Sequence, residues 1–304
     1  MKAGERYVIA MPGQAFEREG MALRFADNPS FKRMAAGFNS LTSGRFEEWV
    51  TTARMEEIGD RFTAPSVMVL YGEICAEIAA EKFGPPSALA GYSLGFYAAA
   101  LFARSLKVRD VLKWLERVNA ESARFFPPGE FSFAVATGIS HWELEELLRG
   151  LDLKSVRVAN INNPRQVVVA GPATDIDRAG KLLKGRLMDC QVLPLDVPLH
   201  TEYMEETRGR VSQWWDTIPA AAPTCPLISP VDGRIIQSGE MVKSEMSRAL
   251  TAPNDWVSVC SRISQMNIDW VLDLSPGGEL GRMVRWTNRD TVVKPVSVLW
   301  KGED

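Results

Sequence analysis

The chain has 304 residues, of which 46% are hydrophobic and 24% charged, with a formal net charge of −3. We expect a globular protein with a sizeable core: one large domain, or one large domain carrying a smaller insert. This balance excludes the basic footprint of a nucleic-acid binder, and no stretch approaches the roughly 20 apolar residues of a membrane span.

The N-terminal apolar run and the cysteines predict a cytoplasmic protein. The first apolar run is only about five residues long before Pro12, which is too short for a signal peptide. Four scattered cysteines lack the paired spacing of a metal site or a disulfide framework. We therefore expect reduced thiols and no metal.

The first part of the chain predicts a strand, a tight turn and a helix around Ser93. In chain order, the predicted elements are a buried strand at 7–11, a helix at 64–82, a strand at 87–92, a helix at 95–103 and a charged helix at 108–124. Glycines stand two residues before and two residues after Ser93, as in the nucleophile elbow of a hydrolase.

The next 65 residues predict a small unit of their own. Strands are expected at 131–137, 155–160, 166–170 and 190–195, with helices at 141–149 and 174–184. This β-α-β-β-α-β order is the ferredoxin-like signature. We expect an α/β fold with an α/β-hydrolase-like large domain, residues 1–129 and 196–304, and an inserted ferredoxin-like subdomain, residues 130–195. Beyond the insert, the pattern predicts a helix at 201–217, a proline-rich loop at 219–230 and a buried strand at 269–274.

Ser93 is the candidate nucleophile and His200 its candidate base. A serine hydroxyl needs a base within hydrogen-bond reach and N–H groups to hold the oxyanion. Of the two histidines, His141 opens an amphipathic helix and suits a surface or capping role, whereas His200 follows a strand directly. A glycine-rich turn at Ser93 and a structural role for His200 are the alternatives that the residues alone leave open.

Four sequence blocks together resemble the malonyl-CoA:acyl carrier protein transacylase family, which includes polyketide synthase acyltransferases. In chain order, the blocks are Met-Pro-Gly-Gln-Ala-Phe at 11–16, Gly-Tyr-Ser-Leu-Gly at 91–95, the asparagine-rich stretch 159–171, and Val-Pro-Leu-His-Thr-Glu-Tyr-Met at 197–204. A weaker fifth match lies at 273–280. The resemblance spans nearly the whole chain and implies the same fold as the pattern.

The resemblance implies a mechanism and a set of site residues. Ser93 would attack an acyl thioester, with His200 as its base and the backbone N–H groups of Gln14 and Leu94 as the oxyanion hole. The backbone carbonyl of Ala249 would orient His200. Further substrate-binding positions would be Asn160, Asn162, Arg117 and Val118. The enzyme would need no bound cofactor, would use acyl-CoA and phosphopantetheine thioesters, would partner an acyl carrier protein, and would be a monomer.

One departure from the family changes the expected substrate. Members that use malonyl groups carry an arginine that pairs with the free carboxylate. Gap-free alignment from Ser93 places Val118 there, and Arg117, one helical step away, points about 100° elsewhere. Tyr92 and Phe96 replace polar family residues and predict an aromatic pocket mouth. We therefore expect a neutral acyl group, because an unpaired buried carboxylate is strongly disfavoured.

Two further functions compete with acyl transfer. An acyl hydrolase that clears acyl groups from carrier proteins would use the same residues, and the sequence does not decide between water and a thiol as acceptor. A catalytically silent carrier-protein docking module is disfavoured because Ser93, His200 and Gln14 occur together. A generic esterase is disfavoured because no HGGG block is present.

Overall fold

A computed structural model describes residues 5–58, 60–185, 189–193 and 195–300 of the chain. Its larger sheet is mostly parallel. In sheet order, its strands are β11 (Val293–Pro295), β10 (Trp270–Asp273), β1 (Tyr7–Met11), β2 (Ala88–Gly91), β7 (Leu227–Ile228) and β8 (Ile235–Ile236). All neighbours pair in parallel except β7 and β8. The strands β1, β2 and β10 are buried along their whole length, as expected for a parallel sheet covered on both faces.

The smaller sheet has the ferredoxin-like arrangement. In sheet order, its strands are β6 (Asp189–Leu193), β3 (Phe131–Thr137), β5 (Gln166–Pro172), β4 (Arg157–Asn163) and β9 (Asn254–Asp255). The first four strands pair antiparallel, and each expected strand of the insert is present with ends shifted by a few residues. The expected strand 190–195 includes Pro194, which lies outside the described residues. The exact domain boundaries stay a prediction.

Twelve α-helices lie within the described ranges. In chain order, they are α1 (Pro29–Asn39), α2 (Phe46–Thr51), α3 (Met55–Ile58), α4 (Thr63–Phe83), α5 (Gly95–Phe102), α6 (Val108–Phe125), α7 (His141–Gly150), α8 (Ala173–Leu182), α9 (Glu205–Asp216), α10 (Gly239–Arg248), α11 (Trp256–Gln265) and α12 (Glu279–Thr287). Helices α4 and α5 are buried on nearly every side and pack against each other in the main core. No helix in the described ranges is long and apolar enough to cross a bilayer.

One sequence expectation needs correction, and one pairing was not expected. The segment 219–230, expected to be a loop, contains β7, which extends the larger sheet beside β2. This strand is only two residues long and lies between Pro226 and Pro230, so it leaves no periodic pattern. The smaller sheet also gains β9 from outside the insert, through a parallel pairing with β4. This pairing ties the two sheets together beside the candidate site.

Candidate active site

Ser93 lies in a sharp turn between β2 and α5. Its φ of 52° is in the left-handed region, which costs a non-glycine residue about 1–2 kcal/mol. The flanking glycines are required by close packing: a Cβ on Gly91 would lie 2.1 Å from the Phe96 nitrogen, and one on Gly95 would lie 2.2 Å from the Met11 oxygen. The turn is therefore a nucleophile elbow in geometry as well as in sequence.

The His200 imidazole lies within hydrogen-bond distance of the Ser93 hydroxyl. Its Nε2 lies 2.6 Å from the Ser93 Oγ, and its Nδ1 lies 2.6 Å from the carbonyl oxygen of Ala249. A carbonyl can only accept a hydrogen bond, so Nδ1 carries the proton and Nε2 presents its lone pair to the hydroxyl. The backbone carbonyl thus selects the tautomer that can deprotonate a serine.

Burial lowers the pKa of the His200 imidazole. Desolvation lowers the pKa of His200 to about 4, and the hydrogen bond to the Ala249 carbonyl opposes this shift. The imidazole is therefore neutral at physiological pH. The backbone of His200 is left-handed, with a φ of 66°, and its backbone N–H donates to the Leu250 carbonyl at 2.8 Å.

Gln14 and Leu94, the residues expected to form an oxyanion hole, both border the cavity. Leu94 directly follows the nucleophile at the N-terminus of α5, where helix N–H groups lack an intrahelical acceptor. Gln14 lies in the loop after β1, and both residues line the cavity that contains Ser93. Within the described part of the chain, neither N–H donates a hydrogen bond, so both are available to a ligand oxygen.

A cavity of about 1110 Å³ lies between the two sheets and opens onto Ser93 and His200, called the dyad below. Its wall on α6 is formed by Trp114, Leu115, Val118, Asn119 and Ser122. The smaller sheet contributes apolar side chains such as Val135 and Val168, and Leu195 and Leu199 complete this apolar lining near His200. The cavity is large enough for an extended acyl group and its thioester.

The cations that line the described cavity are already paired. Arg61 donates from Nε to Asp196 at 2.9 Å and forms a second contact of 2.6 Å between Nη2 and the other carboxylate oxygen. Arg282 lies 3.6 Å from Glu279 and donates to the Gly277 carbonyl at 2.7 Å. Neither guanidinium lies on the α6 wall. Beside Val118, the polar groups on this wall are the neutral side chains of Asn119 and Ser122.

Arg117 and Val118 point in different directions, as the helical register predicts. Val118 lines the cavity and is buried, whereas Arg117 is not among the lining residues. The Arg117 guanidinium stacks on the ring of Trp214 at 4.5 Å, a cation–π contact on the far side of α6. The structure thus places Val118, and not Arg117, on the cavity wall.

All three asparagines of the 159–171 stretch, Asn160, Asn162 and Asn163, line the cavity, and Asn162 also contacts Tyr92 after β2. The Tyr92 hydroxyl donates to the Oδ1 of Asn162 at 2.6 Å, and Asn162 donates to Gln166 at 3.0 Å. Tyr92 is buried between Phe16 and Trp256. Phe96, expected at an aromatic pocket mouth, is instead buried in the main core because α5 turns it away from the cavity.

Sequence reasoning missed Asn254. Its Oδ1 accepts a hydrogen bond of 3.1 Å from the backbone N–H of Ser93, although 161 residues separate them. Nothing in the local pattern Ala-Pro-Asn-Asp-Trp distinguishes it from an ordinary turn residue. His141, in contrast, begins α7 after the Ser140 cap, is not among the cavity-lining residues and packs against Trp142.

Comparisons with known proteins extend the motif resemblance to the whole chain. No family model matches it. A malonyl CoA-acyl carrier protein transacylase of Staphylococcus aureus (strain COL) is 26% identical over 298 residues, which cover 96% of this chain and 95% of that protein. The polyketide biosynthesis protein ThaF of Burkholderia thailandensis is 25% identical over 282 residues, 92% of this chain but 24% of ThaF.

Solved structures show the same fold. The malonyl CoA-acyl carrier protein transacylase of Coxiella burnetii superposes with a TM-score of 0.90 at 22% identity, covering 98% of this chain and 96% of that one. A malonyl-transacylase in complex with a type II polyketide synthase acyl-carrier protein gives a TM-score of 0.89 at 22% identity, covering 95% of each chain. The expected resemblance to malonyl-CoA:acyl carrier protein transacylases is thereby confirmed along nearly the whole chain.

Proposed function

We propose that this protein is a Ser–His acyltransferase that moves a neutral acyl group between coenzyme A and acyl carrier protein thioesters. The observation that carries the proposal is the line of contacts from Ser93 through His200 to the Ala249 carbonyl. The relatives named as transacylases support this reaction class. No bound cofactor is required, because the thioester itself supplies the activated acyl group, and we place the protein in the cytoplasm.

The first half-reaction acylates Ser93. His200 Nε2 takes the hydroxyl proton as Oγ bonds to the thioester carbon. The carbonyl oxygen becomes an oxyanion, held by the N–H groups of Gln14 and Leu94. Collapse of this intermediate breaks the carbon–sulfur bond, and the leaving thiolate takes the proton from His200.

The second half-reaction reverses these steps with a new acceptor. The incoming phosphopantetheine thiol gives its proton to His200 and attacks the ester carbon of the acyl-enzyme. The carbon–oxygen bond then breaks, and Ser93 recovers the proton. Water in place of the thiol would release a free acid by the same route, which is the hydrolase alternative.

The cavity supports a neutral acyl group. The α6 wall of the cavity is apolar at Trp114, Leu115 and Val118 and carries no charge at its other members, Asn119 and Ser122. The cations that line the cavity are engaged by Asp196 and Glu279. Burying a carboxylate there without a partner costs several kcal/mol or more. An alkyl or aryl chain gains about 25 cal/mol for each Å² of apolar surface removed from water. The wall therefore favours neutral groups over malonyl.

Intact-mass measurement with a panel of thioesters tests the proposal. The protein is incubated separately with acetyl-, butyryl-, octanoyl- and malonyl-CoA, and holo acyl carrier protein is then added to the loaded enzyme. We expect adducts with the neutral acyl groups, none in Ser93→Ala, and acyl transfer to the carrier protein.

Three other outcomes would each contradict one part of the proposed function. A malonyl adduct in preference to the neutral ones would overturn the interpretation of Val118. Absence of every adduct in the wild-type protein, trapped at short times, would overturn the covalent mechanism. Release of free acid at a rate unaffected by carrier protein would assign the site to hydrolysis.

A further inference from the structure

One short segment, residues 249–254, contacts both members of the dyad. At its start, the Ala249 carbonyl accepts from His200 Nδ1, and the Leu250 carbonyl accepts from the His200 backbone N–H at 2.8 Å. At its end, the Asn254 side chain accepts from the Ser93 backbone N–H at 3.1 Å. The segment therefore links Ser93 and His200 through atoms that do not touch the reacting centre.

Both dyad residues need such support. Ser93 and His200 have φ values of 52° and 66°, which are unfavourable for residues with a Cβ. A strained backbone persists only where its surroundings hold it. The Ser93 backbone N–H donates to the buried Oδ1 of Asn254, and Asn254 belongs to the smaller sheet.

Asn254 is suited to this task by its burial and its chemistry. It is 1% exposed and belongs to β9, which pairs with β4 at Asn160. The atom facing the Ser93 N–H must be an acceptor, so the amide orients its Oδ1 toward Ser93. Asn254 is not among the residues that line the cavity, so it does not contact the acyl group.

The segment is anchored on both sides. Before it, Arg248 contacts Asp232 at 2.7 Å and the fully buried Glu245 at 3.3 Å. After it, Asp255 caps α11 through the Ser258 N–H at 3.0 Å and donates its own N–H to the Pro230 carbonyl. Fixed ends leave the contacts to Ser93 and His200 little freedom to shift.

We propose that Asn254 is a positioning residue that holds the Ser93 elbow in its reactive conformation. This inference rests on the proposed function of Ser93 as nucleophile. Its acceptor oxygen fixes the Ser93 backbone, so that the hydroxyl stays aligned with His200 and the Leu94 N–H stays aimed at the oxyanion. Loss of that oxygen lowers the acylation rate and leaves substrate affinity unchanged.

The test compares two near-isosteric variants. Asn254→Leu removes the acceptor, and Asn254→Asp keeps an oxygen in its place. Ser258→Ala is the matched control, because it removes the 2.6 Å hydrogen bond from the Ser258 hydroxyl to Asp255, next to the segment, without touching Ser93. Acylation is followed as the burst of p-nitrophenol from p-nitrophenyl butyrate, and unfolding is followed by thermal denaturation.

We expect Asn254→Leu to slow the burst by about 10- to 100-fold, while the substrate concentration that gives half of the maximal burst rate stays within about twofold of wild type. An unpaired buried carboxyl group takes up a proton, so the aspartate variant is assayed at about pH 5, where its neutral acid still offers an acceptor oxygen to the Ser93 N–H. Under these conditions Asn254→Asp should restore most of the rate, and Ser258→Ala should react like wild type. Asn254→Ala tests the same loss if leucine prevents folding.

Three results separate the possible failures. A wild-type burst that Asn254→Leu and Asn254→Ala leave unchanged would overturn the positioning role alone. Equal losses in the leucine and aspartate variants would also overturn it, because the acceptor would then not matter. No burst in the wild-type protein would overturn the proposed function itself.

Discussion

The dyad and the α6 wall lie in one cavity but are built in different ways. The 249–254 segment supports His200 through the backbone carbonyls of Ala249 and Leu250, and the two N–H groups expected at the oxyanion also belong to the backbone. Along α6, the surface is made by side chains such as Val118. A backbone carbonyl or N–H group is retained when its residue is substituted, whereas the surface of the α6 wall changes with each substitution. The chemistry and the choice of acyl group can therefore vary independently.

The largest expected effect is loss of the base. His200→Ala should lower the rate of Ser93 acylation by about 10²- to 10⁴-fold, because no other group accepts the hydroxyl proton. Single-turnover mass spectrometry with butyryl-CoA measures this rate. His141→Ala serves as the control and should acylate normally. A normal rate in His200→Ala would remove the dyad from the mechanism.

Substitutions on the α6 wall should alter the selectivity for the acyl group without affecting Ser93 or His200. In Val118→Arg, a guanidinium enters the cavity and can pair with a free carboxylate, so the ratio of malonyl to butyryl loading should rise by about 10- to 100-fold. Val118→Leu keeps the wall apolar and should leave the ratio low. The ratio is read from competing adducts on Ser93. A ratio equally high in the leucine variant would show that charge at this position does not set selectivity.

The low pKa of His200 predicts an acid-tolerant acylation step. Because the base must be unprotonated, lowering its pKa to about 4 extends activity toward acid and places the acid limb of kcat/KM near pH 4. With p-nitrophenyl butyrate, we expect most of the pH 7 rate to remain at pH 5, with circular dichroism checking the fold. A limb near pH 6.5 would contradict the desolvation of His200.

The smallest expected effect concerns backbone strain beside Gln14. Ala15 has a φ of 70°, a conformation that glycine adopts without steric cost. Ala15→Gly should therefore raise the free energy of unfolding by about 0.5–1 kcal/mol, measured by urea denaturation. The control is Ala36→Gly on the exposed face of α1, which should lower it by about 1 kcal/mol. Equal destabilisation by both substitutions would argue against strain at Ala15.

The elements with a strong local pattern were predictable. The strand at 7–11, the elbow at Ser93 and the β-α-β-β-α-β order of the insert all follow from apolar periodicity and glycine placement, and the structure confirms them. The two-residue strands β7 and β9 were not predictable, because their pairing depends on distant partners. The same holds for Asn254, which contacts Ser93 across 161 residues.

The sequence by itself determined the candidate nucleophile, its base and the register that places Val118 and not Arg117 on the α6 wall. The elbow and the helical step from 117 to 118 follow from local geometry, because they depend on neighbouring residues only. The choice of His200 and of position 118 followed from the resemblance of their sequence blocks to the transacylase family. The tertiary structure alone decided which tautomer His200 adopts, how far its pKa falls, and which distant side chain holds the Ser93 N–H. Each of these depends on atoms that folding brings together from separate parts of the chain.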